Sequence, residues 1–120
     1  MNLDDALQTF IVESGDLLQQ MEDALLAVER QSDRSDAVAA IFRAAHTIKG
    51  SAGLFALDGI VAFTHIVESL LDRVRSGEVA ISAELVALLL EACDHIRGLV
   101  GEVAGSAPDA AAAARGGELA

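Results

Sequence analysis

His46 lies in the run "AHTIKGSAG", Ala45 to Gly53, with Lys49 three residues on and Gly50 and Gly53 four and seven residues on. An imidazole suits the acceptance and release of a reactive group near neutral pH, because one ring nitrogen can hold a proton while the other keeps a lone pair for attack. A flexible ammonium one helical turn away reaches whatever that ring carries. Each glycine, by contrast, costs a helix interior about 1 kcal/mol relative to alanine, so the pair calls for a compensating reason. Clearance supplies one: without side chains beside it, the imidazole can be approached by another protein's surface. Gly53 also suits a helix C-terminus, which leaves Gly50 as the sharper signal. No Asp or Glu occurs from Ala37 to Leu57, whereas Arg43, His46 and Lys49 do, so the window favours an incoming anion.

The segment that holds this run reads as a helix, with Val38, Ile41, Phe42, Ala45, Ile48 and Ala52 at helical spacing up to Gly53. On a wheel turning about 100° per residue, these residues centre on Ala45 and Ala52, and His46 falls roughly 100° away, at the edge of the apolar face. The next helix begins after Asp58, a candidate N-cap, and turns Ile60, Phe63, Val67, Leu70, Leu71 and Val74 inward. It carries His65 and Glu68 three residues apart, with Glu68 at the edge of its apolar face. Consecutive helices on a short connection run antiparallel, so the two edges meet. A carboxylate accepting the Nδ1 proton of His46 fixes the tautomer and leaves Nε2 basic and outward.

Two further helices complete the pattern. Leu3, Leu7, Phe10, Leu17, Met21, Leu25 and Val28 form one stripe before the polar stretch Arg30 to Asp36, where Ser35 or Asp36 can cap the helix that follows. Gly77 suits a left-handed cap after the third helix, with Val79 as its apolar contact. Ser82 then caps a fourth helix on which Leu85, Leu88, Leu89, Ala92, Ile96, Leu99 and Val103 share a face. The fold expected is therefore all-α, an up-down-up-down four-helix bundle over 1–104. Residues 105–120 read as an Ala/Gly-rich linker or disordered tail, with room for a short fifth helix from Asp109 to Arg115.

Composition narrows the function. A net charge of −11 argues against nucleic-acid and anionic-membrane partners, which need clustered Lys and Arg. The single cysteine, Cys93, cannot form an internal disulfide and suits a small buried filler in a cytoplasmic protein. No apolar run is long enough to span a bilayer, and Asp4 and Asp5 stand where a signal peptide carries positive charge. A di-iron bundle is disfavoured as well, because no Glu has a His three residues after it. There is no Gly-rich nucleotide loop or Walker motif either, so the chain carries no sequence signal for binding a nucleotide itself. The residues alone leave two readings: a reactive histidine, or a helical interaction module in which His46 never reacts.

The runs "FRAAHTIKGSAG" from Phe42 and "THIVESLLDRVRSGEV" from Thr64, with "LQTFIVESGDLLQQME" from Leu7, closely resemble the histidine phosphotransfer (HPt) domains of CheA-type chemotaxis histidine kinases. The resemblance covers Met1 to about Val103, and His-x-x-Lys-Gly-x-x-Gly is its most specific part. It implies a helical bundle in which His46 is phosphorylated, Lys49 lies near the phosphoryl group and Glu68 orients the imidazole, with His65 in the surrounding network. Arg43, Gly50 and Gly53 belong to the implied docking surface. The implied partners are a histidine kinase catalytic domain, which supplies ATP and Mg²⁺, and a response-regulator receiver domain with its own Mg²⁺. The chain itself is expected to hold no cofactor or metal and to be a monomer.

Overall fold

A computed structural model describes residues 3–28 and 34–116, with side-chain surroundings up to residue 105. Among them are four helices: α1 (Leu3–Val28), α2 (Arg34–Leu54), α3 (Asp58–Arg75) and α4 (Ala83–Gly116). Each packs against its neighbour in chain order, and α4 closes the ring onto α1. The direction alternates: Phe10 near the start of α1 meets Phe55 just past the end of α2, whereas Leu25 and Val28 at its end meet Val38 and Ile41 near the start of α2. This is the up-down-up-down bundle that the apolar spacing predicts. No described helix is long and apolar enough to cross a membrane.

The core forms where the four stripes converge. Leu18, Met21, Ile41, Ile48, Leu71 and Ile96 are its largest fully buried side chains. Cys93 is buried among them, and burial, with Glu22 nearby, pushes its thiol up to about 11. On α4 the buried residues are Leu85, Val86, Leu89, Cys93, Ile96 and Val100, while Leu88 is exposed. The expected face is thus rotated toward Val86, Cys93 and Val100. The physical reason is that "ELVALLLEAC" is apolar around most of its circumference, so its period leaves the rotation to the packing partners.

The helix ends differ in instructive ways. After α3, Gly77 takes φ +85°, its N–H bonds to the Val74 carbonyl and the Glu78 N–H bonds to the Arg73 carbonyl. This is a Schellman motif with glycine at the left-handed position, as expected, and Val79 packs against the core beside it. After α2 the same hydrogen bonds recur, Leu57 N–H to Ala52 and Ala56 N–H to Gly53, but the left-handed residue is Ala56 at φ 55°. Gly53 therefore lies inside α2 rather than capping it. This turn also corrects the start of α3: Leu57 occupies the N-cap without a side-chain cap bond, and Asp58 sits in the first turn. There its charge faces the positive end of the helix dipole.

Ser82 caps α4 as expected, its Oγ accepting from the Leu85 N–H at 3.1 Å. Ser35 and Asp36 do not cap α2, because that helix is already under way at Arg34. The helical backbone of α4 also runs through Gly105 and Pro108 to Gly116, so the short fifth helix is a continuation of α4. The alanines around Pro108 are the strongest helix formers and carry it onward.

Candidate functional site

Helices α2 and α3 bring His46, Lys49 and Glu68 together across one seam. Val67 and Leu71 bury the inward face of α3, and Glu68, which follows Val67, is carried into the seam with them. Opposite, Ala44 and Ala45 are small and buried, which lets α3 approach the backbone of α2 beside His46. His46 Nδ1 lies 3.1 Å from Glu68 Oε2, and Lys49 Nζ lies 2.9 Å from Glu68 Oε1. The Glu68 side chain is only 9% exposed, whereas that of His46 is 64% exposed. One buried carboxylate thus anchors two side chains of the neighbouring helix. Oε1 is sealed from solvent and meets Lys49 as an ion pair, off the hydrogen-bonding direction.

Burial of Glu68 opposes its ionisation, but the contacts and charges of Lys49 and His46 outweigh burial and hold the carboxyl below its ordinary value. An ionised carboxylate only accepts hydrogen bonds, so the proton between Oε2 and Nδ1 belongs to the ring. In the neutral imidazole the lone pair then resides on Nε2. The exposed part of the ring is thereby given a nucleophilic nitrogen.

The remaining candidates divide. His65 is exposed on α3, outside the hydrogen bonds of Glu68, and its neighbour Thr64 turns inward instead, donating to the Ile60 carbonyl at 2.7 Å. Arg43 is exposed one turn before His46, and its carbonyl accepts from the Thr47 hydroxyl. Gly50 and Gly53 are both exposed within α2, and a Cβ at either meets nothing within 4 Å. No contact among the described residues demands a glycine at these positions. Lys49, expected as company for an incoming anion, spends its ammonium on Glu68 at rest.

Phe42 belongs to the site as well. Expected in the core, it is half-buried, and its ring lies parallel to that of His46, at 5° and 6.3 Å between centroids. Arg75 covers the Phe42 ring at 4.6 Å. The spacing of Phe42 and His46, one turn apart on α2, carries a signal for the first contact. Nothing local signals Arg75, which arrives from the end of α3. Among the described residues no group of three or more His, Cys, Asp or Glu side chains is placed to hold a metal ion.

The described helices thus form a closed antiparallel bundle in which the exposed His46 is tethered to the buried carboxylate of Glu68. The chain belongs to the Hpt domain family, which it matches over residues 5–99. It is 42% identical over 94 residues to the chemotaxis protein CheA of Salmonella typhimurium and 38% identical over 105 residues to that of Treponema pallidum. These alignments cover 78% and 88% of this chain but only 14% and 13% of the two relatives. Among solved structures it resembles the CheA phosphotransferase domain from Thermotoga maritima, with a TM-score of 0.79 and 28% identity over 87% of this chain and 99% of that one. It resembles also the phosphorylated P1 domain of CheA3 in complex with CheY6 from R. sphaeroides, with a TM-score of 0.80 and 32% identity over 87% of this chain and 81% of that one.

Proposed function

We propose that this chain is a phosphocarrier in chemotaxis-type two-component signalling, with His46 as the residue that carries the phosphoryl group. The observation that supports this reading best is the Glu68 contact at Nδ1, which leaves Nε2 unprotonated on a largely exposed ring. In the first step, the Nε2 lone pair attacks the γ-phosphorus of ATP presented by a histidine kinase catalytic domain. The P–Nε2 bond forms, the bond to the bridging oxygen breaks, and ADP leaves with that electron pair. Glu68 stabilises the positive charge that develops on the ring through the Nδ1–H bond. In the second step, an aspartate carboxylate of a receiver domain attacks the phosphorus and the P–N bond electrons return to Nε2. Mg²⁺ held by the partner domains neutralises phosphoryl charge in both steps.

Lys49 is assigned a second role once the phosphoryl group is present. Its ammonium, one turn from His46, can swing from Glu68 toward the new dianion. Gly50 and Gly53 leave clearance for the partner, and residues 105–120 serve as a tether to further domains. The carrier works as a monomer in the cytoplasm and holds no cofactor of its own. The experiment is to incubate the chain with a chemotaxis-type kinase core and labelled ATP. An acid-labile, base-stable phosphate on wild type, absent from His46→Gln, supports the reading. Equal labelling of both proteins would place the phosphate on another residue and remove His46 from this role, whereas labelling of neither favours the unphosphorylated interaction module.

A further inference from the structure

Next to the His46 site, and joined to it through Phe42, a groove of about 500 Å³ runs between the start of α2 and the end of α3. Val38, Phe42, Val74 and Ile81 give it apolar walls, and Arg34, Arg43 and Arg75 line it too. We infer that this groove docks an acidic peptide segment bearing an apolar side chain, presented by the protein that exchanges a phosphoryl group with His46. The inference rests on the phosphocarrier reading and names the surface and partner chemistry that reading leaves open.

Charge carries the first part of the argument. The chain has eight Lys and Arg in all, and three of them line this one groove, where no Asp or Glu stands among the described lining residues. The rest of a molecule of net charge −11 repels anions, so the groove is a local exception that an acidic segment can find. Arg43 is exposed and its side chain forms no ion pair among the described residues. Arg75 meets Asp72 only at 3.7 Å and rests on the Phe42 face. A guanidinium has five donors, so one remote carboxylate leaves Arg75 able to bind another.

Shape carries the second part. A volume of this size exceeds what a lone phosphate needs and falls in the range of pockets that hold small organic molecules, about 300–1,000 Å³, which leaves room for an apolar side chain. The apolar walls reward an aliphatic or aromatic residue between the carboxylates, and long polyanions meet the net negative field outside the groove. Position carries the third part, because Phe42 both lines the groove and stacks beside His46. A segment seated there lies one helical turn, about 5.4 Å of rise, from the reacting ring.

The test is a titration of the ¹⁵N-labelled full chain, followed by backbone amide shifts. The probes are a peptide of alternating Glu and Leu, its Lys-for-Glu counterpart, and inorganic phosphate. Saturable shifts at Val38, Phe42, Val74 and Ile81 with the Glu/Leu peptide alone are expected. In Arg43→Ser/Arg75→Ser, and separately in Arg75→Gln, affinity is expected to fall, by about tenfold in the double variant. His46→Gln leaves the titration unchanged while removing phosphate acceptance, so peptide binding and phosphotransfer can fail independently. Shifts elsewhere, no saturable shifts, undiminished binding by the double variant, or equal shifts with phosphate or the Lys peptide overturn the proposal.

Discussion

Glu68 reaches from α3 to two residues of α2, and Glu22 reaches from α1 to Arg97 of α4, so two seams on different sides of the bundle each carry a carboxylate that bridges neighbouring helices. Their settings differ. Glu22 is 19% exposed and Arg97 41% exposed, so that pair sits at the rim of its seam. Glu68 is buried to 9%, yet one of its partners, His46, is largely exposed. A rim pair of this kind contributes up to about 1 kcal/mol and does little else. A buried carboxylate with one foot on an exposed ring transmits its charge outward, and on the proposed function the α2–α3 seam is the site while the α1–α4 seam is scaffold.

Breaking each carboxylate separates the two roles. Glu68→Ala is expected to slow phosphorylation of His46 by about 10- to 100-fold, the scale on which lost orienting partners act. It also leaves half-buried Lys49 without its anion, at a cost of about 1–3 kcal/mol in denaturant unfolding. Glu22→Ala should leave the phosphorylation rate unchanged. Equal rate losses in the two variants would show that the Glu68 effect is only structural.

Acid sharpens the same contrast. The carboxyl of Glu68 is held below its ordinary value of 4.5, so its contribution to stability is complete above that pH and is lost as pH falls through the lowered value. Unfolding free energies of wild type and Glu68→Gln should therefore differ most near neutral pH and approach each other below pH 4.5. A gap that stays constant with pH would contradict the ion-pair assignment.

The two left-handed turns offer a smaller, local comparison. Ala56 and Gly77 occupy equivalent Schellman positions, but only Gly77 is free of the Cβ penalty. Ala56→Gly should raise stability and Gly77→Ala should lower it, each by about 1 kcal/mol, read as opposite shifts in melting temperature. Gly50→Ala tests clearance against packing at a similar scale. With open space around it, the added methyl should stabilise α2 by up to about 1 kcal/mol, while phosphorylation by the kinase domain falls. Unchanged phosphorylation would remove Gly50 from the docking surface.

Much of this arrangement is legible in the residues. The span of α1, the Ser82 cap, the Gly77 turn and the seating of Glu68 beside His46 all follow from apolar period, capping chemistry and a short α2–α3 connection. Other features are not local and escape that reading. Leu88 faces out because a helix apolar on most sides takes its rotation from its neighbours. Ala56 adopts a left-handed turn that no glycine advertises, which is why Gly53 reads as a cap and Asp58 as the next one. Lys49 reads as company for a phosphate because its spacing to His46 is visible in one helix, whereas its resting partner comes from another. His65 has the spacing to join Glu68 but is turned outward by Thr64, which takes the buried side of the same turn.

The central claim is that Glu68 fixes the tautomer of His46 so that Nε2 is the nucleophile. Long-range ¹H–¹⁵N spectra of histidine-labelled protein near neutral pH, before and after phosphorylation, test it most directly. The account predicts a protonated Nδ1 and a bare Nε2 in the resting chain, phosphorus on Nε2 afterwards, and a mixture of tautomers in Glu68→Gln. A resting ring protonated on Nε2, or phosphorus found on Nδ1, would contradict it.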